Sequence, residues 1–428
     1  MRVLVISGTP WNDNNSFGNT YTNLFRDQTD LQFANICCKA GELNNPFDME
    51  GFQITEKSIL KNLLHRGTPS GRTIKGSDSS EARDNLAHYE QARKLRWNVF
   101  FLARDVIWSL GNWKSKALRA FVEEFKPDLI FQPIYRAAYL NKVVQYVHSI
   151  AKVPVIGYVS DDVYLLQGFS FSPSYWIRRL INRKHIRRVV NNCSLLYTVS
   201  EIQKQEYQDL FHVECKVLTK AADFTAPAQT KKNYGSPRIF LYTGNLGMNR
   251  WQSLAVLAQA IAQLNQEGKQ AKLLIYTATP ITGQMDKLLN IPGASQIMGF
   301  AEAGKMARLQ SEADFLVHAE PMDRKSKPDV RHSFSTKLVD YFAAARPIVA
   351  IGPRDVASID HLIRNDCAIV AQSKDELVEK LNAVMEDAAA LDQLAERAYA
   401  CGRRHHSKET MQKMLAEDLQ AVSKMVAK

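Results

Sequence analysis

The sequence predicts an α/β protein made of two domains, each a parallel sheet covered by helices. Three observations predict it. Short β-branched runs alternate with longer helical stretches, which is the pattern of parallel strands joined by crossover helices. The alternation breaks once, at 222–237, where "ADFTAPAQTKKNYGSP" is polar, holds two prolines and has no period. The length of 428 residues exceeds what a single ordinary core organises.

Taken in order, "RVLVIS", "DLIFQP", "VPVIGYVS" and "CSLLYTVS" are the strands expected before the break. After it come "RIFLYTGN", "AKLLIYTA", "ADFLVHAE", "RPIVAIG" and "CAIVAQ". These assign 1–221 to a first Rossmann-like domain, 222–237 to a linker and 238–400 to a second Rossmann-like domain. Residues 401–428 form a C-terminal helical segment with no further strand. Within the first domain, 52–96 is an interruption containing the loop-like "HRGTPSGRTIKGSDSSEARD". The following "WNVFFLARDVIWSLGNW" is apolar around most of a helical wheel and is expected to be a buried helix.

Composition excludes several classes. Apolar residues make up 45% and charged residues 23%, as in a globular protein. The longest apolar runs, such as "SLLYTV", are strand-sized and far from the ~20 residues of a membrane-spanning helix. The chain opens on a strand pattern, so no signal peptide is expected. The six cysteines show no CxxC spacing and no histidines at metal-ligand spacing. Reduced thiols in the cytoplasm and no metal site are the expectation. The net charge of +11 suits nucleic acid, anionic lipid or phosphorylated small molecules. No zinc-finger spacing, RNP-like aromatic motif or Arg/Gly repeat accompanies it, so nucleic acid is not expected as a partner.

In open parallel sheets, ligands bind in loops at the carboxyl ends of strands. Five such loops carry chemistry. "SGTPWNDNNSFGNTY", 7–21, follows the first strand, and its Gly18-Asn19 would let backbone N–H groups approach a phosphate, or simply make a turn. It is not GxGxxG, which disfavours a dinucleotide. "YTGNLGMNRW", 242–251, offers Gly244, Asn245 and Gly247 on a tight path, with Arg250 placed to meet a diphosphate. In "IMGFAEAG", Gly299-Phe300 ends a short strand, and Phe300 would pack beside a nucleobase or enter the core. "GYVSDDVYLL", 157–166, puts Asp161 and Asp162 at a strand end, as a general base, a hold on an acceptor hydroxyl, a cation ligand or a cap. "RHSFSTKLVDYFAAARPIV", 331–349, gathers Ser335, Thr336 and Lys337 at a helix start, with Asp340 about one turn on. Unpaired N–H groups and a partial positive charge there attract phosphate, and Asp340 could accept from a ribose diol. A plain capped helix uses the same residue types.

A basic stretch, "WIRRLINRKHIRRVV", stands apart from these loops. No acid occurs from Val163 to Ser200, and Arg179, Arg183 and Arg187 form an i, i+4, i+8 stripe. Basic and apolar positions interleave, unlike a clean membrane-surface helix. An anionic acceptor or lipid headgroup on one side, and a solvated basic helix on the other, are both compatible with it.

Two α/β domains, the long first loop, "YTGNLGMNRW", "GFAEAGKMARLQSEADFLV" and "HSFSTKLVDYFAAARPIVAIG" together resemble the GT-B glycosyltransferases. The resemblance is most specific over 238–352, and it is to the retaining "group 1" nucleotide-sugar-dependent transferases of bacterial surface-polysaccharide synthesis. It implies two domains facing across a cleft, with the C-terminal helix returning to the first. It implies transfer from a nucleotide-diphosphate sugar, used as co-substrate with no other cofactor and no metal, to a hydroxyl of a glycan or lipid-linked acceptor. The family's Glu–seven residues–Glu pattern falls on His332 and Asp340, so His332 replaces an acid that contacts the sugar and Asp340 would hold the ribose. Ser335, Thr336 and Lys337 match the phosphate-binding helix start, Arg250 a diphosphate contact, and Gly18 the glycine loop that reaches the donor from the first domain. The acceptor is expected beside Asp161, Asp162 and the basic stretch, with contact to an anionic membrane at its inner face. A nucleotide-sugar epimerase of the same architecture, and a non-catalytic protein binding anionic lipid or nucleic acid, are the alternatives.

Overall fold

The structure, a computed structural model, describes residues 1–428 apart from 66, 77–97, 167–169, 232 and 428. It divides into two compact units. The first comprises Met1–Leu218 with Gln412–Lys428, and the second Thr219–Met411. The C-terminal helix Lys408–Ser423 therefore begins in the second unit and ends in the first, as expected of the returning segment.

The first unit is built on an eight-stranded sheet in the order β4-β3-β2-β1-β5-β6-β7-β8. Its strands are β1 Arg2–Ser7, β2 Gln32–Cys37, β3 Glu50–Gln53, β4 Arg72–Lys75, β5 Leu129–Pro133, β6 Val155–Val159, β7 Cys193–Thr198 and β8 Cys215–Val217. All neighbours pair in parallel except β3 with β4. Four inner strands, β1, β5, β6 and β7, are the apolar runs expected from the sequence. Those runs are fully buried because helices cover both faces of a parallel sheet. The edge strands β4 and β8, and β3 next to β4, are only three or four residues long, which hid them. β2, "QFANIC", is interrupted by Asn35. That side chain is buried and earns its place by donating to Val5 O and Ser7 Oγ and accepting from Trp11 N, at 3.0–3.1 Å.

The helix Asn98–Leu110 buries Trp108 between Trp113 and Tyr139 but leaves Val106 and Leu110 exposed. The expectation of burial all round thus holds for one face.

The second unit carries a six-stranded sheet, β11-β10-β9-β12-β13-β14, parallel throughout. These are β9 Arg238–Thr243, β10 Ala271–Tyr276, β11 Ser295–Gly299, β12 Phe315–Ala319, β13 Ile348–Ile351 and β14 Ile369–Ala371. Strand order reverses between β9 and β12, which makes their carboxyl ends a switch point where loops splay apart and a ligand can enter.

Residues 222–237 pack within this unit. Phe224 is buried against Tyr399 and over Gly402, where a Cβ would come within 2.5 Å of its ring. Arg346 donates to Gln229 O, Tyr234 to Asp392 and the Gly235 N–H to Asp314. The boundary between units falls after Leu218, ahead of the stretch assigned to a linker, because a polar, aperiodic sequence still anchors itself through single aromatic and backbone contacts.

Candidate functional site

The switch point of the second unit collects most of the residues singled out in the sequence. β9 ends at Thr243, and the loop to the helix Arg250–Gln266 starts with Gly244. A Cβ on Gly244 would lie 2.8 Å from Lys337 Nζ and 2.7 Å from the Tyr242 hydroxyl. A side chain at Gly244 would displace the Lys337 ammonium and the Tyr242 hydroxyl, so Gly244 and Lys337 lie together. Asn245 serves the loop itself. Its Oδ1 accepts from the Gly247 N–H and from Thr279 Oγ1, and this Asx turn with its partner on the neighbouring loop fixes the backbone path.

Arg250 opens the helix that follows. Its Nε and one terminal nitrogen each lie 3.0 Å from Glu320 Oε2. Glu320 stands one residue beyond β12 and is 2% exposed. Burial pushes its carboxyl up, and the Arg250 guanidinium and a hydrogen bond from Ser358 pull it back. His318, on β12, lies 3.0 Å from Ser358 Oγ and 3.4 Å from Glu320 Oε1. Burial, with Arg250 and Lys337 nearby, lowers its pKa to about 3 and keeps the ring neutral. Sequence reasoning missed Glu320 and His318. The signal was an acid directly after an apolar strand run, "DFLVHAE", at the carboxyl end of a parallel strand.

The helix Thr336–Ala343 supplies the other side. Ser335 occupies its N-cap position but makes no side-chain cap hydrogen bond, so the capped-helix alternative is not what this hydroxyl does. Lys337 is lowered below the usual lysine range, chiefly by burial and then by Arg250, against Glu320 and Asp340. Asp340 pairs with Lys220 at 2.9 Å, a partner without sequence signal. Phe300, after Gly299, is 72% exposed, so of the two roles open to it, it does not enter the core.

His332 is not presented as the family pattern implied. It is 1% exposed, and its Nε2 lies 2.8 Å from an Arg331 nitrogen. An imidazole takes the acid's place in sequence, but the chain packs it inside.

The first-unit residues need three corrections. Gly18 is buried, and its N–H is taken by the Asn15 cap of the helix Ser16–Phe25. A Cβ there would meet Asn12 O at 2.0 Å, so the glycine serves close packing of the loop on itself and is not open to phosphate. Asn19 lies next to it on that helix, its N–H bonded to Asn15 O. Asp162 is 4% exposed, with Oδ1 accepting from the N–H groups of Tyr164 and Leu165 and from the Tyr207 hydroxyl. Its Oδ2 faces Arg136 and Arg179 at 3.4 and 3.5 Å. Such a saturated carboxylate holds the 162–165 turn and is not available as a base. The stripe Arg179, Arg183, Arg187 belongs to the same structure. Arg179 is buried on Asp162, Arg183 donates to Tyr164 O and lies 4.0 Å over its ring, and Arg187 donates to the Tyr164 hydroxyl. All three hold this turn, Arg179 from inside and exposed Arg187 from its rim, so the stripe is not a free surface for anions. Asp161 is exposed.

Comparison with known proteins agrees with this geometry. Residues 237–387 match the family described as Glycosyl transferases group 1. No curated protein matches the chain. Among solved structures, Anabaena HepE in complex with UDP-glucose aligns at TM-score 0.59 and 13% identity, over 98% of this chain and 100% of that one. A glycosyltransferase from Rickettsia africae aligns at 0.62 and 11%, over 99% of both chains. Sucrose-phosphate synthase from Thermosynechococcus elongatus aligns at 0.58 and 12%, over 98% of both. At these identities the likeness to solved structures is one of fold, the GT-B fold, and it runs the length of the chain. Residues 237–387 of the second unit thus resemble a group 1 glycosyltransferase domain, in a chain that has the GT-B fold.

Two predictions follow from the electrostatics. Replacing Asp162 by Ala leaves the buried Arg179 without its counter-charge, and losing one partner of a buried pair costs about 3–5 kcal/mol. Denaturant unfolding of Asp162→Ala should show that loss, and an intact stability with abolished turnover would instead make Asp162 a catalytic group. The second concerns protons. Lys337 sits below its ordinary 10.5 in the free protein, and a bound diphosphate would raise it again. At alkaline pH, where the free amine begins to lose its proton, binding should take one up and weaken as pH rises. Calorimetry of uridine diphosphate in buffers of different ionisation enthalpy reads the uptake, and Lys337→Gln should remove it.

Proposed function

We propose that the second unit binds a nucleotide-diphosphate sugar and that the protein transfers the sugar to a hydroxyl acceptor held by the first unit. The observation that carries this is the pairing of two basic side chains at the switch point: half-buried Lys337 beside Gly244, and Arg250 held by buried Glu320. Glycosidic cleavage of such a donor leaves negative charge on the departing diphosphate. Cations already in place stabilise that charge without reorganising. Glu320 engages only part of a guanidinium that has five N–H donors, so Arg250 keeps donors for phosphate oxygens. Ser335 and Thr336, with the N–H groups of their helix start, complete the phosphate contacts. Asp340, held by Lys220, would accept from the ribose hydroxyls, and exposed Phe300 would lie beside the base.

On this reading the two cations do the work of a divalent metal, and transfer is metal-independent and retaining, as the family resemblance implies. Asp161 is the acid left to meet an acceptor hydroxyl. A role in polysaccharide synthesis fits a glycan or lipid-linked acceptor.

Lys337→Ala and Arg250→Ala each remove a charge-assisted contact worth about 1.5–3 kcal/mol, or roughly ten- to a hundredfold in affinity or rate. Calorimetry with uridine diphosphate and assays of donor hydrolysis should show that loss in folded protein. Wild-type values in both variants would remove the diphosphate site from this place.

Contact with an anionic membrane is supported by another face of the basic helix than the arginine stripe. In Pro173–Asn191, Ile177, Leu180 and Ile181 are 46–57% exposed, and Lys184 and Arg188 share their side of the helix. Apolar side chains would enter the headgroup boundary while basic ones meet anionic lipid, each of the latter contributing about 1 kcal/mol. Leu180→Ser with Ile181→Ser should abolish sedimentation with phosphatidylglycerol vesicles at low salt and leave uridine diphosphate binding unchanged. Absence of wild-type sedimentation would end this part of the reading.

A further inference from the structure

The stem of Glu320 is fixed by packing, and the direction of its carboxylate is not. Its backbone oxygen accepts from Ser253 Oγ at 2.7 Å. Gly352 lies so close that a Cβ there would come within 3.0 Å of Glu320 Cβ. Rotation of the carboxylate about its last bond is soft, because terminal carboxylate torsions have broad minima. Hydrogen bonds therefore set it.

An arginine and a carboxylate left to themselves pair fork to fork, two nitrogens on two oxygens. Here Arg250 Nε and Nη2 both lie 3.0 Å from the same oxygen, Glu320 Oε2. The other oxygen, Oε1, is turned to the helix Ala357–Arg364 and to β12. Ser358 donates its hydroxyl to Oε1 at 3.4 Å, so at 3.0 Å its oxygen accepts from His318 Nε2. His318 Nε2 is itself 3.4 Å from Oε1. Ser358 and His318 are both buried. The neutral ring adds a donor without adding a charge that would compete with Arg250 for the carboxylate. Arg250 Nη1 makes no hydrogen bond among the described residues, and the side chain is 22% exposed.

We infer that Ser358 and His318 are positioning residues: by occupying Oε1 they make Glu320 grip Arg250 through Oε2 alone and leave its Nη1 edge to a nucleoside diphosphate. The inference rests on the donor reading and adds to it the pair that orients the arginine. Without that pair the carboxylate can turn to the fork-to-fork arrangement, which draws guanidinium donors onto Glu320 and away from phosphate oxygens.

A mutant cycle on the full chain, read by calorimetry with uridine diphosphate, tests it. Ser358→Ala, and Ser358→Ala with His318→Leu, are made in the wild-type chain and in an Arg250→Lys background. Lysine keeps a counter-charge for Glu320, but an ammonium has no planar edge whose donors can be diverted. In the wild-type chain the combined change should weaken uridine diphosphate binding about fivefold or more, with Ser358→Ala alone acting in the same direction. In the Arg250→Lys background the same changes should weaken it less than about twofold, whereas a role in the fold alone would lower affinity equally in both. Unchanged affinity in the wild-type background, or equal loss in the two backgrounds, overturns the inference. Should His318→Leu fail to fold, Ser358→Ala carries the cycle and the same two results decide. If the wild-type chain binds no uridine diphosphate, the donor reading has failed and the inference falls with it. Wild-type binding together with either overturning result fails the inference alone.

Discussion

A carboxylate removed from water has to be matched by a cation, and in the second unit that requirement organises the site. Glu320 is almost fully buried at the end of β12, where solvation of its charge is lost. Arg250 supplies the counter-charge with two donors to one oxygen. The guanidinium is thereby held at the first turn of its helix, beside Lys337, instead of ranging over the surface. Burial first, and the like charge of Arg250 second, hold Lys337 below the usual lysine range. A site with this imbalance gains most from an anion that neutralises both.

The first unit uses the same rule for a different end. Asp162 is buried, and its two oxygens collect two backbone N–H groups, a tyrosine hydroxyl and two guanidiniums. Nothing is left over for a substrate. Arg179 and Arg183 of the basic stripe are drawn to the same turn, and the outward face of their helix carries Ile177, Leu180 and Ile181 with Lys184, Arg187 and Arg188. One buried charge thus decides which basic residues serve the fold and which remain at the surface.

Much of the second unit's site was legible in the sequence. Glycines after a strand, an arginine at a helix start and a Ser-Thr-Lys cluster at another are local features, and local features survive folding. Gly244, Arg250, Lys337 and Asp340 were found this way, and the fold brings the first three together. Glu320 and His318 were not found, because their meaning depends on which helix start faces the end of β12. His332 shows another limit of spacing: the pattern gives its position, and only the fold shows that its ring is buried. In the first unit, Gly18 and the paired aspartates have the composition of a ligand loop, yet their donors and acceptors are consumed by their own turns.

The sequence by itself determined the two parallel sheets, their central strands and the helix starts that face their carboxyl ends, because a hydrophobic period and a helix cap act over a few residues. Only the tertiary structure decided which charges are buried, since burial depends on partners far away in the chain: Asp162 with Tyr207 and Glu320 with Arg250. A charge becomes structural when the fold satisfies all of its hydrogen bonds and available for chemistry when some are left open. That balance is fixed by contacts between distant segments, and no local pattern records it.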